Sequence, residues 1–204
     1  MILRYQTGKI FMLLILLFFS GTVSMIASDD FIIGKNGAPP LKIQAGFMIH
    51  NFTNPGVSVD LDVMLFQKKD REIYIPFNTA FYLHPKNSRV FYINTGIGYR
   101  WHSKGILFLS TSLCLGYIHT FVDGDLYAER KGEIVKITDT GQPGIMPYTD
   151  FTIGLDFFED QTHQFSPFFK VLAFGQYPYN GYMLPHFGFQ LGTIYSFDKG
   201  GKEK

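Results

Sequence analysis

Six charged side chains lie where charge is costly. Asp60, Asp62, Arg100, Asp150, Asp156 and Lys170 fall within or beside segments that otherwise alternate apolar with small or polar residues. If those segments enclose an interior, such groups have two uses: they neutralise one another as ion pairs, or they line a path for ions or a small polar solute. A buried charge without a partner is strongly destabilising, so pairing is the expected state and the path the alternative.

Other reactive residues do not assemble in the sequence. His50, His84, His102, His119, His163 and His186 are scattered, and no two have the spacing of a metal site. Asp123-Gly124-Asp125 with Glu129 approaches a calcium loop but lacks its remaining ligands, and reads as a solvated turn. His119 has acids nearby (Asp123, Asp125, Glu129) but no adjacent serine, and a nucleophile without a positioned base is no triad. No catalytic set, metal or cofactor is therefore expected, which weighs against an enzyme. Cys114 is the one cysteine; it forms no internal disulfide and reads as a small packing residue.

The elements that must position these residues are strands. Val57, Val59, Leu61, Val63 and Leu65 share one face, and Ser58, Asp60, Asp62 and Met64 the other. That period of two is a strand signature. It recurs around Ile43–Ile49, Ile73–Tyr82, Phe91–Arg100, Leu107–Gly116, Asp150–Phe157 and His186–Phe197, and less cleanly over Pro167–Phe174, where Lys170 has apolar neighbours. Thr53-Asn54-Pro55-Gly56 is read as the first hairpin turn. Pro76 counts against its strand, because proline has no N–H to give to a ladder.

These segments suggest an all-β fold of about eight antiparallel strands, each roughly the ten residues that a tilted strand needs to cross a bilayer. Ahead of them, Arg4 and Lys9 precede the apolar run Ile10–Phe19 and a small-residue exit, the parts of a secretory signal peptide. The expected organisation is a signal peptide (1–27), a lead-in segment (28–42), a barrel (43–197) and a polar tail (198–204). The 204-residue chain has a formal net charge of +1 and no basic stripe, which argues against a nucleic-acid partner.

Alternation alone also suits a soluble periplasmic ligand-binding barrel with the faces exchanged. Three features favour the membrane. The polar faces are poor in Lys and Glu, which gather in turns such as Gln67-Lys68-Lys69-Asp70-Arg71-Glu72. They are rich in small residues, including Gly46, Gly96, Gly98, Gly116, Gly154, Gly188 and Gly192. Aromatic residues such as Phe91, Tyr99, Trp101, Tyr117 and Tyr195 collect near strand ends, where a membrane meets water.

Residues Ile43 to Phe197 resemble the small eight-stranded bacterial outer-membrane β-barrel proteins: an antiparallel up-and-down transmembrane barrel. Phe189, Leu191, Tyr195 and Phe197 resemble the C-terminal assembly signal of that family, although Asp198 to Lys204 follow where the family's chain ends. The resemblance implies residence in the bacterial outer membrane, contact with its lipid, and delivery by the barrel-assembly machinery through the last strand. The long polar connection 121–146 falls on the external side if the N-terminus is periplasmic, and would meet a surface partner. A structural or surface-interaction role is the leading expectation. A lipid-modifying enzyme resembling the lipid A hydrolases is the alternative.

Overall fold

A computed structural model describes residues 41–68, 70–85, 87–124, 126–130, 133–137, 141–157, 164–179 and 181–196. The expected signal peptide, nearly all of the lead-in segment, the tail and Phe197 lie outside them.

Ten strands follow in order: β1 (Leu41–His50), β2 (Asn54–Lys68), β3 (Arg71–His84), β4 (Ser88–His102), β5 (Leu107–Val122), β6 (Leu126–Arg130), β7 (Glu133–Ile137), β8 (Gln142–Leu155), β9 (Gln164–Tyr179) and β10 (Tyr182–Ser196). Eight of them form a closed antiparallel barrel, ordered β1-β10-β9-β8-β5-β4-β3-β2. β1 pairs with both β2 and β10, so the sheet has no free edge. β6 and β7 form a separate two-stranded ribbon inserted between β5 and β8.

The barrel is staggered as well as closed. A path of paired residues leaves β8 at Thr152, passes Lys170, Gln190, Met48, Gly56, Tyr82, Val90 and Thr120, and re-enters β8 at Gln142, ten residues along. Stagger and tilt are linked, and small closed barrels tilt their strands by about 35–45°. One end of the barrel carries the β6–β7 ribbon and the β1–β2, β3–β4 and β9–β10 turns; it is called here the hairpin end. The other, where β1 begins and β10 ends, is the terminal end.

Four expectations need correction. The first turn is Asn51-Phe52-Thr53, not 53–56: Asn51 and Phe52 have φ of 46° and 64°, and Asn54, Pro55 and Gly56 already pair with β1. Pro55 is tolerated because β3 reaches β2 only from Gly56 onward. Pro76 does sit within a strand. It faces Asp62 of β2, while the β3–β4 ladder skips from Tyr74–Gly98 to Phe77–Thr95, so the missing N–H falls where pairing lapses. The connection 121–146 is shorter than it looks, since β5 runs to Val122 and β8 starts at Gln142. Finally, Glu72 is no solvated turn residue.

Glu72 is 2% exposed and stands opposite Arg100 of β4. A register shift between Met64 and Phe66 of β2 brings Gln67 opposite Glu72, where Gln67 Nε2 donates to Glu72 Oε1 (3.4 Å). Glu72 continues the inward alternation of Tyr74, Pro76 and Asn78, so this one acid of the turn-like run reaches the interior while Lys68, Asp70 and Arg71 stay exposed.

Candidate functional site

The interior is built in layers, beginning near the terminal end with an ionic cluster. Arg100 Nη2 donates to Asp62 Oδ2 (2.7 Å) and Nη1 to Glu72 Oε2 (3.0 Å). Lys42 Nζ reaches both Glu72 oxygens at 2.8 Å, and Gln44 Nε2 donates to Asp62 Oδ2 at 2.7 Å. His102 Nδ1 lies 2.8 Å from Asp156 Oδ2; its Nε2 is 3.2 Å from Glu72 Oε1, off the line of a hydrogen bond. Ser166 Oγ donates to Asp156 Oδ1 (2.6 Å). Burial works to raise the Asp156 carboxyl, but the bonds from His102 and Ser166 hold it below its ordinary value.

The Arg100 guanidinium also lies over two rings, 4.8 Å from the centroid of Tyr74 and 5.4 Å from that of Phe108. Glycine makes room for both. A Cβ on Gly98 would enter the Tyr74 ring, and one on Gly154 would enter the Phe108 ring.

The next layer pairs Lys170 with Asp60, Nζ to Oδ2 at 2.8 Å. Asp150 accepts from Ser112 Oγ, and Asn78 Nδ2 donates to Asn94 Oδ1 (2.7 Å) and toward Cys114 Sγ (3.8 Å). All six charged residues singled out in the sequence face the interior side of the barrel, with Asp156 at its terminal rim. Lys42, Glu72 and His102 complete the cluster and were missed. Counting the alternation back from Tyr74 and Gln44 would have placed Glu72 and Lys42 on the same faces.

Above the ions lies an apolar and aromatic layer that includes Met48, Tyr82, Tyr92, Ile118, Met146, Tyr148, Leu172 and Phe174. Eight strands leave an interior that side chains can fill, and here they do so. The Lys170–Asp60 pair spans strands far apart in the sequence and is testable alone. Unfolding measured for Lys170→Met, Asp60→Leu and the double variant should give a coupling of about 1–3 kcal/mol. Additive single losses would show that the two charges do not depend on each other.

At the hairpin end the filling stops below a cavity of about 340 Å³. Its floor is a stack of rings: His50 on Tyr82 (centroids 4.3 Å apart), His50 near His186 (4.9 Å), and Phe174 under both. His50 Nε2 and both ring nitrogens of His186 are buried without hydrogen-bond partners, a state that costs about 1–3 kcal/mol per group. Gln176 Nε2 donates to Thr120 Oγ1 (3.1 Å) in the wall. Among the described residues, no three His, Cys, Asp or Glu side chains are placed to hold a metal.

The outer face is the reverse of the interior. Leu191 is 64% exposed and Leu115 61%, whereas Asp62 and Arg100 are 0% and 1%. Phe47, Val57, Val59, Phe151 and Phe187 extend the exposed apolar belt around the ring. Such a surface would be a severe liability in water and is matched to hydrocarbon. This barrel is built for a membrane.

Solved structures of known barrels are similar in arrangement. Neisserial surface protein A matches with a TM-score of 0.48 at 9% identity, over 77% of this chain and 94% of that one. Ail, the attachment invasion locus protein of Yersinia pestis, matches at 0.45 and 10% identity, over 78% and 99%. The outer membrane enzyme PagL matches at 0.42 and 9%, over 76% and 97%. No protein-family model matches the chain, and no curated protein does. These TM-scores lie below one half, and the membrane character of this barrel is carried by its own geometry.

His119 lies on the outer face near the hairpin end, with Tyr117 and Phe121 along the strand and Phe91 and Pro143 across from it. Tyr117 Oη and His119 Nδ1 share a hydrogen bond. Asp123 is exposed and paired with Arg89, Nε to Oδ1 at 3.0 Å; the side chains of Asp125 and Glu129, and His163, lie outside the described residues.

Proposed function

We propose that this chain is a small barrel of the bacterial outer membrane with a non-enzymatic, structural or surface-interaction role. The observation that carries the proposal is the filled interior inside an apolar belt. Ion pairs from Lys42 to Lys170 and the ring layer above them leave no wide passage for solutes. What remains for function is the scaffold itself and what it holds up at the hairpin end.

The ribbon β6–β7 supports the same reading. It is inserted between two strands of the closed ring, and Ile134, one pair in from its turn, is 78% exposed. Variable tips on a fixed scaffold are where binding commonly sits, and we assign a surface partner to this ribbon. The belt would be solvated by outer-membrane lipid, and the exposed alternating face of β10, with Phe187 and Leu191, would be presented to the barrel-assembly machinery.

Two measurements on expressing cells test this role. The mature chain should stay with outer membranes through a carbonate wash; release as a soluble periplasmic product would end the proposal. Protease added to intact cells should cut near Lys131 or Lys136 and spare the barrel strands. Cleavage there only after the outer membrane is opened would mean that the hairpin end faces the periplasm.

A further inference from the structure

We propose that the outer wall at the terminal end binds the headgroup of an anionic phospholipid through Lys68, Arg71 and Trp101. The ladder sets these three side by side: Lys68 of β2 pairs with Arg71 of β3, and Arg71 with Trp101 of β4. They share the outward face, because Glu72 and Arg100, the next residues in their strands, are buried on the inward one. Arg71 is 53% exposed at its side chain, and Lys68 is exposed as well. Asp70 lies beside them. Its Oδ1 is 3.9 Å from Arg71 Nε, beyond hydrogen-bond reach, and its Oδ2 accepts from Trp101 Nε1 at 3.2 Å. Arg89 at the hairpin end is engaged differently, donating to Asp123 at 3.0 Å.

The position selects the ligand. Toward the middle of the barrel, Ile75 and Phe77 on β3 and Ile97 and Tyr99 on β4 continue the same outward face. The two cations therefore stand at the edge of the apolar belt, with an indole beside them, where such rings favour the boundary between hydrocarbon and water. A ligand that meets both surfaces must carry an anion joined to apolar chains. That is the build of a phospholipid; a soluble anion would use the charges and leave the belt untouched. A phosphodiester offers two unesterified oxygens, which a guanidinium can hold as a fork while Lys68 adds a second cation. A zwitterionic lipid presents the same phosphate but brings its own ammonium to the cations, so the wall prefers a lipid of net negative charge. The inference rests on the belt meeting lipid and names which lipid the terminal end holds.

Trp101 is the chain's single tryptophan, so its fluorescence reports on the site itself. The full mature chain can be refolded into mixed vesicles of phosphatidylcholine and phosphatidylglycerol, with one lipid or the other brominated high on its acyl chains. Quenching of Trp101 then gives the relative occupancy of the two. Phosphatidylglycerol should be preferred roughly three- to tenfold at low salt, falling toward parity as salt is raised. Lys68→Gln with Arg71→Gln should abolish the preference and leave quenching by brominated phosphatidylcholine in place. Equal quenching by the two lipids, a preference that salt does not weaken, or one that survives in the folded double variant would overturn the proposal. The salt series on the unaltered chain decides the matter should the variant fail to fold. Loss of the preference when inorganic phosphate replaces chloride at constant ionic strength would also overturn it, by marking a site for free anions. Quenching by neither lipid would place Trp101 away from hydrocarbon and overturn both the proposal and the membrane placement beneath it.

Discussion

Arg100→Met should destabilise the barrel by about 3–5 kcal/mol, the cost typical of removing one partner from a buried ionic pair. The reason is what would remain. Asp62 and Glu72 are 0% and 3% exposed at their side chains, and Arg100 bonds both. Lys42 would still neutralise Glu72, at 2.8 Å, so the uncompensated charge falls mainly on Asp62. Among the described hydrogen bonds, Asp62 would keep the one from the neutral Gln44 amide. Urea unfolding of the refolded chain gives the measurement. A loss below about 1 kcal/mol would mean that water or another cation replaces the guanidinium, and that the cluster is not the keystone of the terminal end. The companion variant Arg100→Met with Asp62→Leu should recover much of the loss, because it removes the orphaned carboxylate and leaves Glu72 paired with Lys42.

Leu115→Arg is the second large effect. Leu115 is midway along β5, faces outward and is 61% exposed. Arginine there should cost about 2–4 kcal/mol if the site is near the bilayer midplane. Ile134→Arg provides the contrast: Ile134 is even more exposed, at 78%, but belongs to the ribbon outside the ring. Its substitution should change stability by no more than about 0.5 kcal/mol. Equal costs measured in lipid vesicles would mean that the exposed belt does not meet hydrocarbon.

Much of this architecture is legible in the sequence, for a physical reason. A strand with one face in lipid and the other in a packed interior must alternate without lapse, so Val57–Leu65 and Phe91–Arg100 declare themselves. β9 is less clear because Phe168, Leu172 and Phe174 share the inward face with Lys170, mixing the apolar and polar registers. The candidate site was legible by residue type but not by partner. Asp60, Asp62, Arg100 and Lys170 stand out, yet Glu72 hides in a charged run. The register shift at Met64/Phe66, which sets Gln67 opposite Glu72, has no local sequence mark. The cavity was not legible at all. Its histidines, 50 and 186, are separated along almost the whole barrel and meet only because the ring closes.

That closure has a further consequence. Lys42, at the start of β1, is paired in register with Ser196, at the end of β10. By ladder geometry alone the ring has no first strand; the order of synthesis imposes one. Joining the two ends at that seam and reopening the chain in the Asn51-Phe52-Thr53 turn would preserve the barrel ladders while moving the seam to between β1 and β2. The native order is then a property of how the barrel is assembled, and the same wall could be drawn as a circular permutant.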